Sequence, residues 1–224
     1  MIVLNNVCKT FNSGRPNAFH AIKGVTFTVG RERITVLRGP SGSGKTTLLS
    51  LIGCMVRPTS GRIFLNDRET TSLPERFLAE IRRSTFGFIF QNYNLINGIT
   101  VLENTMLPAY PTGRNHARVK ADALNLLARL KIESKAGQKV ERLSGGEQQR
   151  AAIARALIND PAVIIADEPT AHLDMALSKA FLEIVAELAH EKKTILMASH
   201  DPLVFEAGIV DEVITMRDGG ILMA

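Results

Sequence analysis

The 224-residue chain holds only two cysteines, Cys8 and Cys54, far apart, with no Cys-x-x-Cys pair and no histidine nearby to complete a metal set. A disulfide scaffold and a zinc motif are excluded on that ground, and both residues are expected to be reduced thiols packed among apolar neighbours. No stretch approaches the ~18 uninterrupted apolar residues of a membrane-spanning helix, and MIVLNNVCKTF lacks the basic start and long apolar run of a secretory signal. A cytoplasmic protein is the expectation. Although the net charge is +5, no run of about five or more Lys or Arg occurs, so no nucleic-acid partner is expected. Internal repeats and low-complexity tracts are also missing, and no appended C-terminal domain is expected. What remains is ordinary: 45% hydrophobic and 22% charged residues suit one α/β domain over 1–224.

Two kinds of apolar pattern run along the chain. In GVTFTVG, Val25, Phe27 and Val29 alternate with Thr26 and Thr28, the period of a strand with one buried face; with Ile2 to Leu4 and Gly61 to Asn66 it predicts an antiparallel β layer. By contrast RITVLR (33–38), PAVIIAD (161–167) and KTILMAS (193–199) are nearly continuous in Val, Ile and Leu, as strands of a parallel sheet covered on both faces tend to be. Between the last two, Leu177, Phe181, Ile184, Val185 and Leu188 recur at helical spacing and predict a βαβ crossover. A helical zone free of buried strands covers about 100–158, and EVITMRDGGIL predicts a hairpin with an Asp-Gly turn. The expected division is a core with its β subdomain over about 1–92 and 159–224, and an inserted helical subdomain over about 93–158.

GPSGSGKTT, comprising Gly39, Pro40, Ser41, Gly42, Ser43, Gly44, Lys45, Thr46 and Thr47, matches G-x-x-x-x-G-K-[ST] between a buried strand and a helix. In that context glycines let backbone N–H groups wrap phosphates, Lys45 reaches the β and γ phosphates, and Thr46 offers a hydroxyl to Mg²⁺. VIIADEPT places Asp167 and Glu168 at the carboxyl edge of the sheet, where ligands of open α/β folds bind. Asp167 is the expected second magnesium residue and Glu168 the group that polarises an attacking water, a hydrolase arrangement. Gln91, His200 and Phe11 mean little alone. In LSGGEQQR, Ser144 is a candidate helix cap, while Gly145 and Gly146 permit close backbone approach to an anion.

In this order and at these distances, GPSGSGKTT, FQNYNL, LSGGEQQR, VIIADEPT, AHLD and SHD resemble the ATP-binding subunit of an ABC transporter over essentially the whole chain. The resemblance implies a RecA-like P-loop NTPase core with an antiparallel β subdomain and an inserted helical subdomain, and ATP and Mg²⁺ as cofactors. It implies that Gln91 touches Mg²⁺ and the attacking water, that His200 contacts the γ phosphate, and that Phe11 stacks on adenine. Ser144, Gly145, Gly146 and Glu147 would serve the ATP held by a partner subunit, and Leu173 and Asp174 would lie in the D-loop along the dimer interface. The implied partners are a second copy on ATP binding, a separate polytopic membrane subunit, and in some systems a periplasmic or extracellular protein; the implied place is the inner face of a bacterial membrane.

The stretch from LSLIGCMVRPTSG to TVLENTMLPA, with the spaced loop NSGRPNAFHAIKGVTF, is similar to the lipoprotein-releasing, macrolide-exporter and peptide-antibiotic resistance group, implying a stand-alone export or extraction ATPase. Two other outcomes stay open: a non-transporting ATPase regulating a membrane partner in cell division or cell-wall signalling, and a DNA- or ribosome-associated one. Three features depart from the pattern: the D-loop pair Ala171 and His172, Phe11 for the commoner Tyr, and no proline just before LSGG.

Overall fold

The computed structural model describes residues 1–222. Its centre is a six-stranded sheet of order β10-β9-β3-β8-β7-β6, made of β3 (Ile34–Arg38), β6 (Phe86–Ile89), β7 (Val163–Asp167), β8 (Thr194–Ser199), β9 (Glu212–Arg217) and β10 (Gly220–Leu222). All neighbours pair in parallel except β10, which turns back on β9. The continuous apolar runs have their reason in this: successive residues face two different cores. In β7, Val163 and Ile165 join one cluster while Ile164 and Ala166 join the other; β8 divides Leu196 and Ala198 from Ile195 and Met197 in the same way.

On the first face lie α1 (Lys45–Ile52), α2 (Glu75–Thr85) and an antiparallel sheet of order β2-β1-β4-β5, formed by β1 (Ile2–Phe11), β2 (Phe19–Val29), β4 (Ser60–Leu65) and β5 (Arg68–Glu69). Val25 and Val29 are buried there and Thr26 and Thr28 exposed, as their alternation requires. Helix α2, which the sequence reading does not announce, buries Leu78 and Ile81 against this core and leaves Phe77 half-buried.

The second face carries α6 (Met175–His190), through Phe181, Val185 and Leu188, and α5 (Gly145–Leu157). Residues between 93 and 158 form α3 (Val101–Met106), α4 (His116–Arg129), α5 and short 3₁₀ turns. Leu127 and Leu130, at the end of α4, share the second core with the sheet, whereas Val119 and Ala123 pack in a small cluster with Met106, Ala109 and Ile158. A last short helix, α7 (Pro202–Phe205), follows β8. Among the described residues no helix is long and apolar enough to cross a membrane. Both cysteines are free thiols, Cys54 buried and Cys8 half-buried.

The turn of the β9–β10 hairpin has Asp218 at φ 49° and Gly219 at φ 83°, the two left-handed residues that a type I′ turn demands. It also reaches the P-loop: Gly219 N–H donates to Ser43 O at 3.1 Å, and Lys23 N–H to Gly219 O at 2.8 Å.

Candidate functional site

Four chemistry-bearing segments leave the carboxyl ends of parallel strands: the P-loop after β3, Gln91 after β6, Glu168 after β7 and His200 after β8. They line one open cavity of about 250 Å³ with Ser41 to Thr47 as its floor. Gly44, at φ 102°, ends the loop where a Cβ would come within 2.7 Å of Ala21 O, so no other residue fits without moving β2. It starts α1 with no side-chain cap, leaving the first-turn N–H groups of that helix to face an anion.

Lys45 is 6% exposed, and its ammonium donates to Gly39 O at 2.8 Å and Pro40 O at 3.2 Å while lying 3.2 Å from Glu168 Oε1. Glu168 Oε2 accepts from His200 Nδ1 at 2.9 Å and from His200 N–H at 3.3 Å. The carboxylate is aimed this way by a left-handed backbone, φ 45° at Glu168, tied by its N–H to Ala198 O at 2.9 Å; such a conformation costs about 1–2 kcal/mol in a non-glycine residue. Beside it, Thr46 Oγ1 donates to Asp167 Oδ1 at 3.0 Å. Burial pushes the Asp167 carboxyl above its ordinary range, with the Thr46 hydrogen bond opposing. A hydroxyl and one carboxylate suit Mg²⁺, which takes one or two protein oxygens and completes its shell with water and phosphate. Among the described residues no cluster of three or more His, Cys, Asp or Glu offers an all-protein metal cage.

A second cavity, of about 450 Å³, opens around Ser144, Gly145, Gly146 and Glu147 and shares no residue with the first. Here the helix end is already satisfied. Ser144 Oγ accepts from Glu147 N–H at 3.4 Å, and the Glu147 carboxylate accepts from Ser144 N–H at 2.8 Å and from its hydroxyl at 3.1 Å, a capping box at the start of α5. These hydrogen bonds, the one from Ser144 N–H foremost and then Lys135 at 3.1 Å, hold the Glu147 carboxyl below its ordinary range. A Cβ at Gly146 would meet Leu177 Cδ2 of α6 at 2.8 Å, so any larger residue there would have to push the half-buried Leu177 side chain aside.

Residues 22–171 match the ABC transporter family. The chain is 40% identical over 222 residues, 99% of its length, to the macrolide export ATP-binding/permease protein MacB of Bartonella henselae, of which it spans 33%. It is 38% identical to an uncharacterized ABC transporter ATP-binding protein, YvrO, of Bacillus subtilis, covering 100% of this chain and 96% of that one. A dimeric structure of the ATP-binding cassette MJ0796 in a post-hydrolysis state with ADP and Pi superposes at a TM-score of 0.90 with 36% identity, over 100% of this chain and 97% of the other. The chain belongs to the ABC transporter family. It is an ATPase cassette with the P-loop fold of that family.

Within the cassette, the residues predicted from sequence divide into two groups. Ser41 to Thr47, Gln91, Glu168 and His200 meet at the P-loop cavity, with Asp167 held against Thr46. Ser144 to Glu147 and Asp174 line the second cavity, where the Asp174 carboxylate caps α6 by accepting from Leu177 N–H at 2.8 Å; Leu173 lies in the same turn, its N–H donating to Thr170 O. Phe11 lies apart from both cavities, with Lys9 Nζ 5.0 Å from its ring centroid. Its cross-strand partner Phe19, 58% exposed, faces the P-loop cavity instead. Phe19 escapes the sequence reading because only strand pairing, not linear spacing, brings it opposite Phe11. Arg155 was missed for a similar reason. Buried on α5, it donates to Tyr93 O at 2.6 Å and Asn94 O at 2.5 Å, and among the described residues it makes no ion pair.

Proposed function

We propose that two copies of this cassette bind two ATP molecules head to tail, each ATP lying between the P-loop of one copy and the Ser144–Glu147 loop of the other. The observation that carries this is the pair of non-overlapping cavities on one chain, the second holding a glycine loop at a helix start but no P-loop lysine. One chain supplies half of each site.

Thr46, Asp167 and Gln91 would hold Mg²⁺, which would supply positive charge to offset that of the phosphates. The side chains do the rest. Lys45 turns from Glu168 toward phosphate, Glu168 takes the proton of the water that attacks the γ phosphorus, and His200, hydrogen-bonded to Glu168, steadies that carboxylate and reaches the γ phosphate. Phe19, at the P-loop cavity, supplies the apolar edge for adenine, with its cross-strand partner Phe11 beside it.

The cassette drives a separate polytopic membrane subunit from the cytoplasmic face, for export or extraction of a lipoprotein, peptide or antibiotic; the macrolide-export name of its relative supports this class. Residues 93–158 form the helical subdomain that carries the motion. A mostly apolar groove of about 410 Å³ beside them, lined by Phe86, Phe88, Phe90, Pro108 and Pro111, is the seat for the membrane subunit.

Glu168→Gln tests this. It is expected to keep ATP binding, abolish turnover and give an ATP-dependent dimer on a sizing column, with a polytopic membrane protein copurifying from cells. A monomer with ATP bound would refute the shared site, and recovery of ribosomes or DNA would refute the membrane role.

A further inference from the structure

His172 departs from the usual D-loop pattern, and the structure gives it a contact inside its own subunit. Its ring Nε2 donates to Oδ1 of Asn92, the residue next to Gln91, at 3.2 Å. His172 also lines the second cavity with Ser144 and Gly145, while Gln91 lines the first. We propose that His172 is a positioning residue for Gln91, tying the nucleotide seat of the Ser144–Glu147 loop to the P-loop seat of the same chain through Asn92. The inference rests on the two-site reading above.

An exposed hydrogen bond between two mobile loops would transmit little, but neither backbone here is free. The segment carrying His172 starts at Glu168. Pro169 O accepts from Gln149 Nε2 of α5 at 2.8 Å, Thr170 Oγ1 bonds Asp201 Oδ2 at 3.2 Å, Ala171 N–H donates to Glu168 O, and Asp174 caps α6. On the other side, Tyr93 and Asn94 both adopt left-handed backbones, φ 59° and 48°, uncommon for non-glycine residues and rarer still for an aromatic one. The Arg155 guanidinium grips both of their carbonyl oxygens. Each partner of the His172–Asn92 bond is therefore mounted on a segment held at several points, so a displacement of one is passed to the other. Because the first segment carries Glu168 and the second carries Gln91, the bond also constrains the spacing of two polar side chains that line the P-loop cavity.

Glutamine places its amide nitrogen close to where histidine has Nε2, so His172→Gln keeps the donor whereas His172→Leu removes it. Steady-state ATP turnover of the chain is expected to lose roughly fivefold in kcat in His172→Leu and in Asn92→Leu, the weight of one ordinary hydrogen bond, with KM for ATP unchanged. The double variant is expected to be no slower than either single one, and His172→Gln to recover to within about twofold. Independent, multiplying losses, a rise in KM instead of a fall in kcat, or no recovery with Gln would overturn the assignment. Nitrogen NMR of the His172 ring gives a readout that needs no turnover: the Nε2–H tautomer is expected in the unsubstituted chain and its preference lost in Asn92→Leu, and an Nδ1–H tautomer would overturn the proposal. Failure of the unsubstituted chain to hydrolyse ATP would count against the ATPase mechanism, while the tautomer still decides the contact.

Discussion

The two glycine loops end in the same element, a helix start, yet they finish it differently. At α1, Gly44 caps nothing with a side chain, and a buried lysine stands over the exposed N–H groups. At α5, Ser144 and Glu147 satisfy each other, and the carboxylate of Glu147 already compensates the positive end of the helix. The first loop is thus built to be completed by phosphate. The second is stable by itself and offers hydroxyl and backbone only through rearrangement of its cap, or through Gly145, whose Cβ position is open except for Tyr93 Oη at 3.7 Å. A shared sequence grammar of Ser and Gly before a helix therefore covers a strong anion site and a weak one.

The largest effect that separates them is on ATP affinity. Lys45→Ala is expected to weaken ATP binding by the isolated chain about 100-fold or more, since charge-assisted hydrogen bonds contribute about 1.5–3 kcal/mol each, whereas Ser144→Ala leaves it unchanged. Calorimetric titration of monomer checks both, and equal losses would erase the distinction. Next in size, Gly146→Ala should destabilise the fold by about 1–3 kcal/mol in urea melts through its clash with Leu177, and Leu177→Ala in the same chain should restore part of that. A neutral Gly146→Ala would mean that phosphate approach, not packing, calls for this glycine. Ser144→Ala should cost about 1 kcal/mol of stability through the lost cap, read in the same melts.

The smallest contrast is one of pH. The folded Glu147 carboxyl lies below its unfolded value, so its stabilisation is full above the unfolded value and is lost as pH falls through the folded one. Asp167 has the opposite sign: its folded value is raised by burial, so its cost is absent at pH below the unfolded value and grows as pH rises to the folded one. The stability gap between the unsubstituted chain and Glu147→Gln should therefore close toward acid in melts run across that range. For Asp167→Asn the gap should move the other way.

Much of this was legible because the relevant patterns are local. The continuous runs of β3, β7 and β8 announced a two-sided sheet, and strand ends placed Asp167, Glu168 and His200 at one edge. Phe19, Arg155 and the His172–Asn92 contact were not legible, since each depends on partners brought together by topology: Phe19 by antiparallel register with Phe11, Arg155 by the packing of α5 beside the strand end at Ile89, His172 by the adjacency of β7 and β6. Helix α2 did carry a pattern, Phe77, Leu78 and Ile81 at helical spacing among charged residues, in a stretch of only Glu75–Thr85.

The hairpin turn at Asp218 and Gly219 braces the P-loop through Ser43 O, and β3 itself is flanked by β8 and β9, both encoded far downstream. During synthesis the nucleotide-binding motif leaves the ribosome early, but its neighbours β8 and β9 follow only with Thr194–Ser199 and Glu212–Arg217, and the brace only with Gly219. A chain stalled before that point is expected to carry the motif without the contacts that shape its pocket, so ATP is expected to act as a folding ligand only once Gly219 has been added.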